Sequence, residues 1–311
     1  MPIRSSATVS PVLSGLAVDF QANAAGYVGP ALFPNFFTAE QSAGYYKFDT
    51  KNLIGVPKNL RRAPSAPYQK WQAVLSDDSY SCKEYGLEEA VDDSERKKYA
   101  NMFDADVSAI RRTTTGIILA REVRIKTLAT GASVPTSSPT KKWDETDADI
   151  YGDVNTAKKA IEKACGLLPN VMTINRDVFL VMQNHPSIVD RIKYTSSKSV
   201  TAEMIAALLE IERLIVAGTV YNSAADGQAA SAAYLWGDAV ILAHVNPAQD
   251  LKVPTFGRTF VWSGEIGPDG IAVESYRDDS IRSDVHRVRQ HIDEKICGAS
   301  LGYHFSDVLS T

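Results

Sequence analysis

Cysteine is scarce in this 311-residue chain: Cys82, Cys165 and Cys297 are odd in number and far apart. Three such thiols do not make a disulfide scaffold and fit a reduced compartment. Long apolar runs are also missing. No stretch approaches the roughly 18 residues that a membrane-spanning helix needs, and the opening MPIRSSATVSPVLSGLAV lacks the sustained apolar core of a signal peptide. Neither charge is in large excess. The 33 basic and 37 acidic residues leave a net −4, so no global field favours nucleic acid. The expectation is a soluble intracellular protein. At 44 % hydrophobic and 23 % charged residues it can bury one large core or two modest ones.

Catalytic motifs are missing too. There is no Walker-type phosphate loop, no G-x-G-x-x-G and no H-E-x-x-H. Gly298-Ala299-Ser300-Leu301-Gly302 fits the G-x-S-x-G nucleophile elbow, which needs a helix after it and an acid and histidine later in the chain. Only nine residues follow Gly302, and His304 is too near to fold back on Ser300, so the segment reads as a glycine-framed turn. His286 and His291 stand five apart in a strand-like stretch and fall on opposite faces. No cysteine lies within ligand spacing of a partner, which leaves no structural zinc site. The acids at Asp144, Glu145, Asp147, Asp149 and at Asp278-Asp279 read as solvated faces or helix starts. No catalytic, metal or cofactor residue is assigned.

What is present is a spine. From Asp92 to Ala129, apolar or small residues recur at Tyr99, Phe103, Val107, Ile110, Thr114, Ile117, Ile125 and Leu128, one face of a helix. Asp92 or Ser94 is its expected N-cap, and an unbroken helix would reach roughly 55 Å. The expected weak point is Thr113-Thr114-Thr115-Gly116, where three β-branched residues and a glycine disfavour helix.

Ahead of the spine the chain is irregular. Residues 1–36 end in GYVGPALFPNFF, whose glycines and prolines preclude regular structure while Leu32, Phe33, Phe36 and Phe37 still need burial. This is an arm lying on another surface, or a terminus folded back on its own domain. Two strand candidates follow, around Tyr45, Tyr46 and Phe48 and then around Val74 to Cys82. Between them KNLIGVPKNLRRAPSAPYQK holds three prolines and five basic residues (Lys51, Lys58, Arg61, Arg62, Lys70) with no acid. Residues 77–93 then hold seven acids, Asp77, Asp78, Glu84, Glu88, Glu89, Asp92 and Asp93, against Lys83 alone. A long hairpin with a basic tip and an acidic root suggests head-to-tail docking between copies; the other reading is two solvated charged faces.

After the spine, GASVPTSSPT is a linker. An α/β block follows: Asp153 is the expected cap of VNTAKKAIEKACG, Gly166 its stop, NVMTIN a buried strand, and Asn175, Pro186 and Thr201 further helix starts. ERLIVAGTVYN reads as one strand, and the tail from Pro254 is β-rich.

This order resembles the major capsid proteins of tailed bacteriophages, whose fold encapsulin shells share. The resemblance is carried by LFPNFFTAEQSAGYYKFD, NVMTINRDVFLVMQNHPSIVDRIKY, SVTAEMIAALLEIERLIVAGTVYN and VHRVRQHIDEKICGASLGYHFSDVL, and covers nearly the whole chain. It implies an α+β fold with an N-terminal arm (1–36), an extended β-hairpin loop (37–84), a peripheral domain holding the spine helix (85–149) and completed by return strands (254–311), and an α/β axial domain (150–253) that meets its neighbours at five-fold and six-fold axes.

The implied role is structural and not enzymatic: hexamers and pentamers of one chain closing an icosahedral shell around double-stranded DNA. The arm and loop would bury Leu32, Phe33, Phe36, Tyr45 and Trp71 partly on neighbours. The basic tip (Lys51, Lys58, Arg61, Arg62, Lys70) would lie over a neighbour's acids at Asp77, Asp78, Glu88 and Glu89. Implied partners are other copies, a portal, a separate scaffolding protein (the short arm leaves no room for a fused one) and non-specifically held DNA, with no membrane. The implied location is the virion, assembled in the host cytoplasm. The alternatives are an encapsulin-type compartment and, from another class, an α/β enzyme with an unfamiliar site.

Overall fold

In the computed structural model the described residues are 8–9, 13–14, 17, 26–48, 54, 56, 60–62, 64–65, 67–68, 76–99, 104–192, 200–224, 227–229, 231–266 and 270–310. The chain opens with β1 (Thr8–Val9), a single turn α1 (Gly29–Leu32) with Pro30 in its first turn, and β2 (Asn35–Thr38). Next, β3 (Ser42–Lys47) and β4 (Ser76–Ser81) pair antiparallel, from Ser42 opposite Ser81 to Lys47 opposite Ser76. This is the expected two-stranded excursion. β5 (Lys83–Asp92) leaves it and leads into the helical region.

The spine is shorter than the periodicity suggests, and its break lies elsewhere. Asp92 does open a helix, accepting from the Ser94 N–H at 2.7 Å, but that helix is the short α2 (Asp93–Tyr99). The long helix is α3 (Ala105–Ala129), capped by Asp104, whose Oδ1 accepts from the N–H groups of Asp106 and Val107 at 3.0 and 3.3 Å. Its length is about 37 Å at helical rise. It runs without interruption through Thr113-Thr114-Thr115-Gly116. Thr113 Oγ1 donates to Ala109 O at 2.9 Å and Thr115 Oγ1 to Arg111 O at 2.8 Å, so the hydroxyls are absorbed by the helix's own carbonyls. A Cβ at Gly116 would stand 2.9 Å from Leu87 Cδ1, so the glycine gives β5 its close approach. Tertiary packing has overridden the propensity.

Beyond β6 (Thr136–Ser137) comes α4 (Ile150–Cys165). Its cap is Asp149, not Asp153; Asp153 lies inside the first turn and accepts the indole N–H of buried Trp143 at 3.0 Å. Gly166 ends α4 in the left-handed region at φ 74°, as its sequence position predicts. The fully buried β7 (Val171–Asn175), α5 (Arg176–Asn184) capped by Asn175, α6 (Pro186–Ile192) and α7 (Ala202–Leu208) capped by Thr201 follow. The stretch read as one strand is two, β8 (Arg213–Ala217) and β9 (Val220–Asn222), broken at Gly218. β10 (Ala232–Tyr234) returns antiparallel to β9. The remainder is β11 (Val240–Ala243), β12 (Gly257–Trp262), α8 (Ser263–Ile266), β13 (Ala272–Asp278), β14 (Ser283–Ile296) and β15 (Gly302–Phe305).

Two sheets organise these elements into an α+β fold. In the first, β14 pairs antiparallel with β5, β12 and β13, while β1 joins β13 and β2 runs parallel to β12. α3 lies on it, with Ile110 and Ile117 packed against Val273 and Val288. The second has the order β6-β15-β11-β7-β8 and packs with α4 to α7. One continuous apolar cluster joins them, including Phe33, Phe256 and Phe260 at one end and Trp143, Met172 and Phe305 at the other.

Candidate assembly surfaces

The end of the arm is built into the chain's own core. Leu32, Phe33 and Tyr45, expected to be covered partly by neighbours, are 0, 0 and 3 % exposed within this single chain, and Phe36 is half-buried. Phe33 meets Phe256 edge-on with ring centroids 5.6 Å apart, and Phe36 meets Phe260 likewise at 5.6 Å. The reason is backbone pairing: β2 adds a parallel strand to β12, from Asn35 opposite Thr259 to Thr38 opposite Trp262. Along β2 the faces alternate, so Phe36 turns toward Phe260 while Phe37, also expected to need burial, is 40 % exposed.

Two charged residues of α3, Arg121 and Glu122, are buried there. Glu122 accepts the N–H of Val28 through Oε1, the N–H of Gly29 through Oε2 and the Trp236 indole N–H through Oε1, each at 2.8 Å. Burial pushes its carboxyl upward, against those donors and the neighbouring Arg121. Arg121 Nη2 donates to Asn35 Oδ1 at 2.7 Å and Thr259 Oγ1 at 3.0 Å. A signal was available: Glu122 stands four after Ile118 and three before Ile125, in register with the buried stripe.

The hairpin has an anchored root and an exposed tip. Tyr80 stacks on Phe260 at 4.2 Å between centroids, its hydroxyl 2.8 Å from Thr38 Oγ1, and the Ser81 N–H donates to Asp293 at 2.8 Å. Between the two strands in sequence, Val56, Tyr68 and Leu60 are 81, 76 and 72 % exposed, and Ile54, partly exposed, lies beside Gly166 at the end of α4. Arg61 and Arg62 are exposed beside them, and the Arg62 guanidinium lies 4.6 Å from the Tyr68 ring centre. The predicted contacts Lys51, Lys58, Lys70 and Trp71, and the side chain of Asp77, lie outside the described residues. The sequence reading stressed the tip's charge and missed its apolar content, which was in plain sight at Ile54, Val56 and Leu60.

The acidic root is paired within the chain. Asp78 accepts the Ser79 N–H, which with the Tyr45 hydroxyl and Lys47 holds its carboxyl below the usual range despite some burial. Glu88 meets Arg287 at 3.0 Å, Glu89 meets Arg112, and Asp93 meets Arg277 at 2.7 Å. Each of these acids thus has a cationic neighbour within its own chain. Most are partly exposed pairs, which solvent screens.

No nucleophile site emerges where the sequence offered one. Ser300 sits in a 3₁₀ turn, Ala299–Leu301, between β14 and β15, so a strand and not a helix follows it. The three thiols are buried and free; burial pushes Cys82 up to about 11 and Cys297 up to about 12, far from thiolate reactivity at neutral pH.

No family model matches the chain. The major capsid protein of Burkholderia phage BcepMu is 26 % identical over 243 residues, 76 % of each chain. Among solved structures, a phage-related protein from Bordetella bronchiseptica RB50 is 25 % identical with a TM-score of 0.75, covering 98 % of this chain and 99 % of that one. The virus-like particle from Pyrococcus furiosus has the same fold at 14 % identity, with a TM-score of 0.59 over 94 % of this chain and 98 % of its own.

Proposed function

We infer that this chain, which has the tailed-phage major-capsid fold and belongs among those proteins, is the major capsid subunit of a phage shell. The observation that carries the reading is its similarity, over three quarters of both chains, to a phage major capsid protein. The near-complete structural match to a phage-related protein supports it. Its role is structural.

Finer parts of the reading follow from the surfaces. The subunit forms hexamers and pentamers of an icosahedral shell, with residues 150–253 at the symmetry axes and residues 37–84 reaching a neighbour. Support comes from the hairpin tip, where Ile54, Val56, Leu60 and Tyr68 stand exposed beside Arg61 and Arg62. A cluster of exposed apolar side chains such as Val56, Leu60 and Tyr68 fits a surface that another molecule covers. One such contact is weak, and a closed shell repeats it in every subunit. The inner surface faces packaged double-stranded DNA, held weakly and without sequence preference because the net charge is −4. Assembly takes place in the host cytoplasm with a scaffolding protein and a portal, and the shell ends in the virion.

The test is negative-stain microscopy with light scattering on the purified chain, alone and with candidate scaffold. Closed shells, tubes or five- and six-membered rings are expected. A monomer that stays monomeric at every concentration and with scaffold would overturn the reading.

A further inference from the structure

Two glycines three apart, Gly26 and Gly29, bring the arm's backbone against two different elements at once. Gly26 has φ +96°, and a Cβ there would stand 3.0 Å from the Gly218 backbone. A Cβ on Gly29 would stand 2.5 Å from Glu122 Oε2 and 2.8 Å from Ile125 Cδ1. Gly218 and Thr219 lead into β9, and Leu235 and Trp236 follow β10, so together they form the base of the β9–β10 hairpin.

The hydrogen bonds close a ring through these three elements. Gly26 O accepts the Gly218 N–H at 3.1 Å and the Thr219 hydroxyl at 2.9 Å, which ties the arm to the outgoing side of the hairpin base. Thr219 O accepts the Leu235 N–H at 2.9 Å, joining the outgoing side to the returning side. Trp236 donates to Glu122 on α3, and Glu122 accepts both Val28 and Gly29 of the arm. Val28, Thr219, Leu235 and Trp236 are all buried, so water cannot replace a lost partner without opening the junction.

We propose that Glu122 is a latch that couples the seating of the arm to the order of the β9–β10 hairpin, so that the two open and close together. The hairpin has only two short strands and pairs with no other strand among the described residues. Such a ribbon has little stability of its own. Its base is held from one side by an arm carbonyl and from the other by the carboxylate that also holds the arm. Release at either tie therefore loosens the second. The coupling needs no second copy of the chain, and stands or falls separately from the shell reading.

Residue-resolved hydrogen exchange on the full-length chain tests it, comparing wild type with Glu122→Gln. The Gln side chain keeps the shape but has one accepting oxygen for three donors. The expected result is exchange at least ten-fold faster at Val28 and Gly29, and a similar acceleration at Gly218 and Leu235, which do not hydrogen-bond to Glu122, with β7 and β11 unchanged. Acceleration confined to Val28 and Gly29 would overturn the coupling. Equal acceleration in β7 and β11 would overturn it too, because the junction would then not open as a unit. Thr219→Val gives the reciprocal measurement should Glu122→Gln fail to fold. It removes the hydroxyl donated to Gly26, and faster exchange at Val28 and Gly29 is expected; no change there would contradict the proposal.

Discussion

The end of the arm and the tip of the hairpin look alike in sequence and behave oppositely in the fold. Both are rich in proline and glycine, neither has periodicity, and both carry apolar residues with no local core. Yet Leu32 and Phe33 are wholly buried, while Val56 and Leu60 are mostly exposed. The difference lies in the backbone. The arm has somewhere to pair, parallel to β12, and a carboxylate that takes its free N–H groups. The hairpin's two strands pair with each other, and among the described residues between them Val56, Leu60 and Tyr68 stay exposed. Lack of local regularity marks a segment that needs a partner, and backbone pairing decides whether that partner lies in the same chain.

The comparison breaks most sharply at the aromatic anchors. Phe33→Ala should cost about 3–5 kcal/mol of folding stability, as a large buried ring leaves a cavity. Val56→Ser should stay within about 0.5 kcal/mol, as exposed substitutions do. Chemical denaturation of the two variants side by side measures both. A similar loss from each would erase the distinction between arm and tip.

The next effect is at Glu122. Its folded pKa is raised by burial, against the pull of Arg121 on its own helix and the N–H donors of Val28, Gly29 and Trp236; Tyr27 on the arm faces it too, its own hydroxyl raised by burial and by Glu122. The stability linked to its protonation is therefore fully present below the ordinary glutamate value and lost as pH rises through the raised one. Glu122→Gln should remove that pH dependence, and should cost about 1–3 kcal/mol at neutral pH by leaving a buried donor unpaired. Denaturation midpoints across the acid range check both, and a variant that kept the wild-type profile would place the titration elsewhere.

Charge reversal at Arg61 and Arg62 should leave folding stability within about 0.5 kcal/mol while blocking assembly, which sedimentation of the variant reads directly. Normal particles would remove the hairpin tip from the interface. The smallest effect is expected from Gly116→Ala. The gain of about 1 kcal/mol in helix propensity is offset by the push on Leu87, whose exposed end can move. The melting temperature should barely change.

Much of the architecture was legible because it is local. The Gly166 stop, the Asn175 and Thr201 caps, the Pro186 start and the buried strand Val171–Asn175 follow from residues within one turn or strand. The misreadings involve distant contacts. Thr113 to Gly116 stay helical because the helix packs on the sheet and the Thr113 and Thr115 hydroxyls bond to its own carbonyls. Asp149 caps in place of Asp153 because Trp143 claims the latter. The acids at Glu88 and Glu89 look unpaired until β14 and α3 bring Arg287 and Arg112 to them. Arg121 and Glu122 are buried beneath the arm, a contact no local pattern reveals for Arg121.

Hydrogen exchange of free subunits against assembled particles tests the central claim most directly. The account predicts that residues 54–68 gain strong protection on assembly while residues 28–36, already packed on their own chain, change little. Unprotected tips in a complete particle, or protection gained instead by residues 28–36, would contradict it.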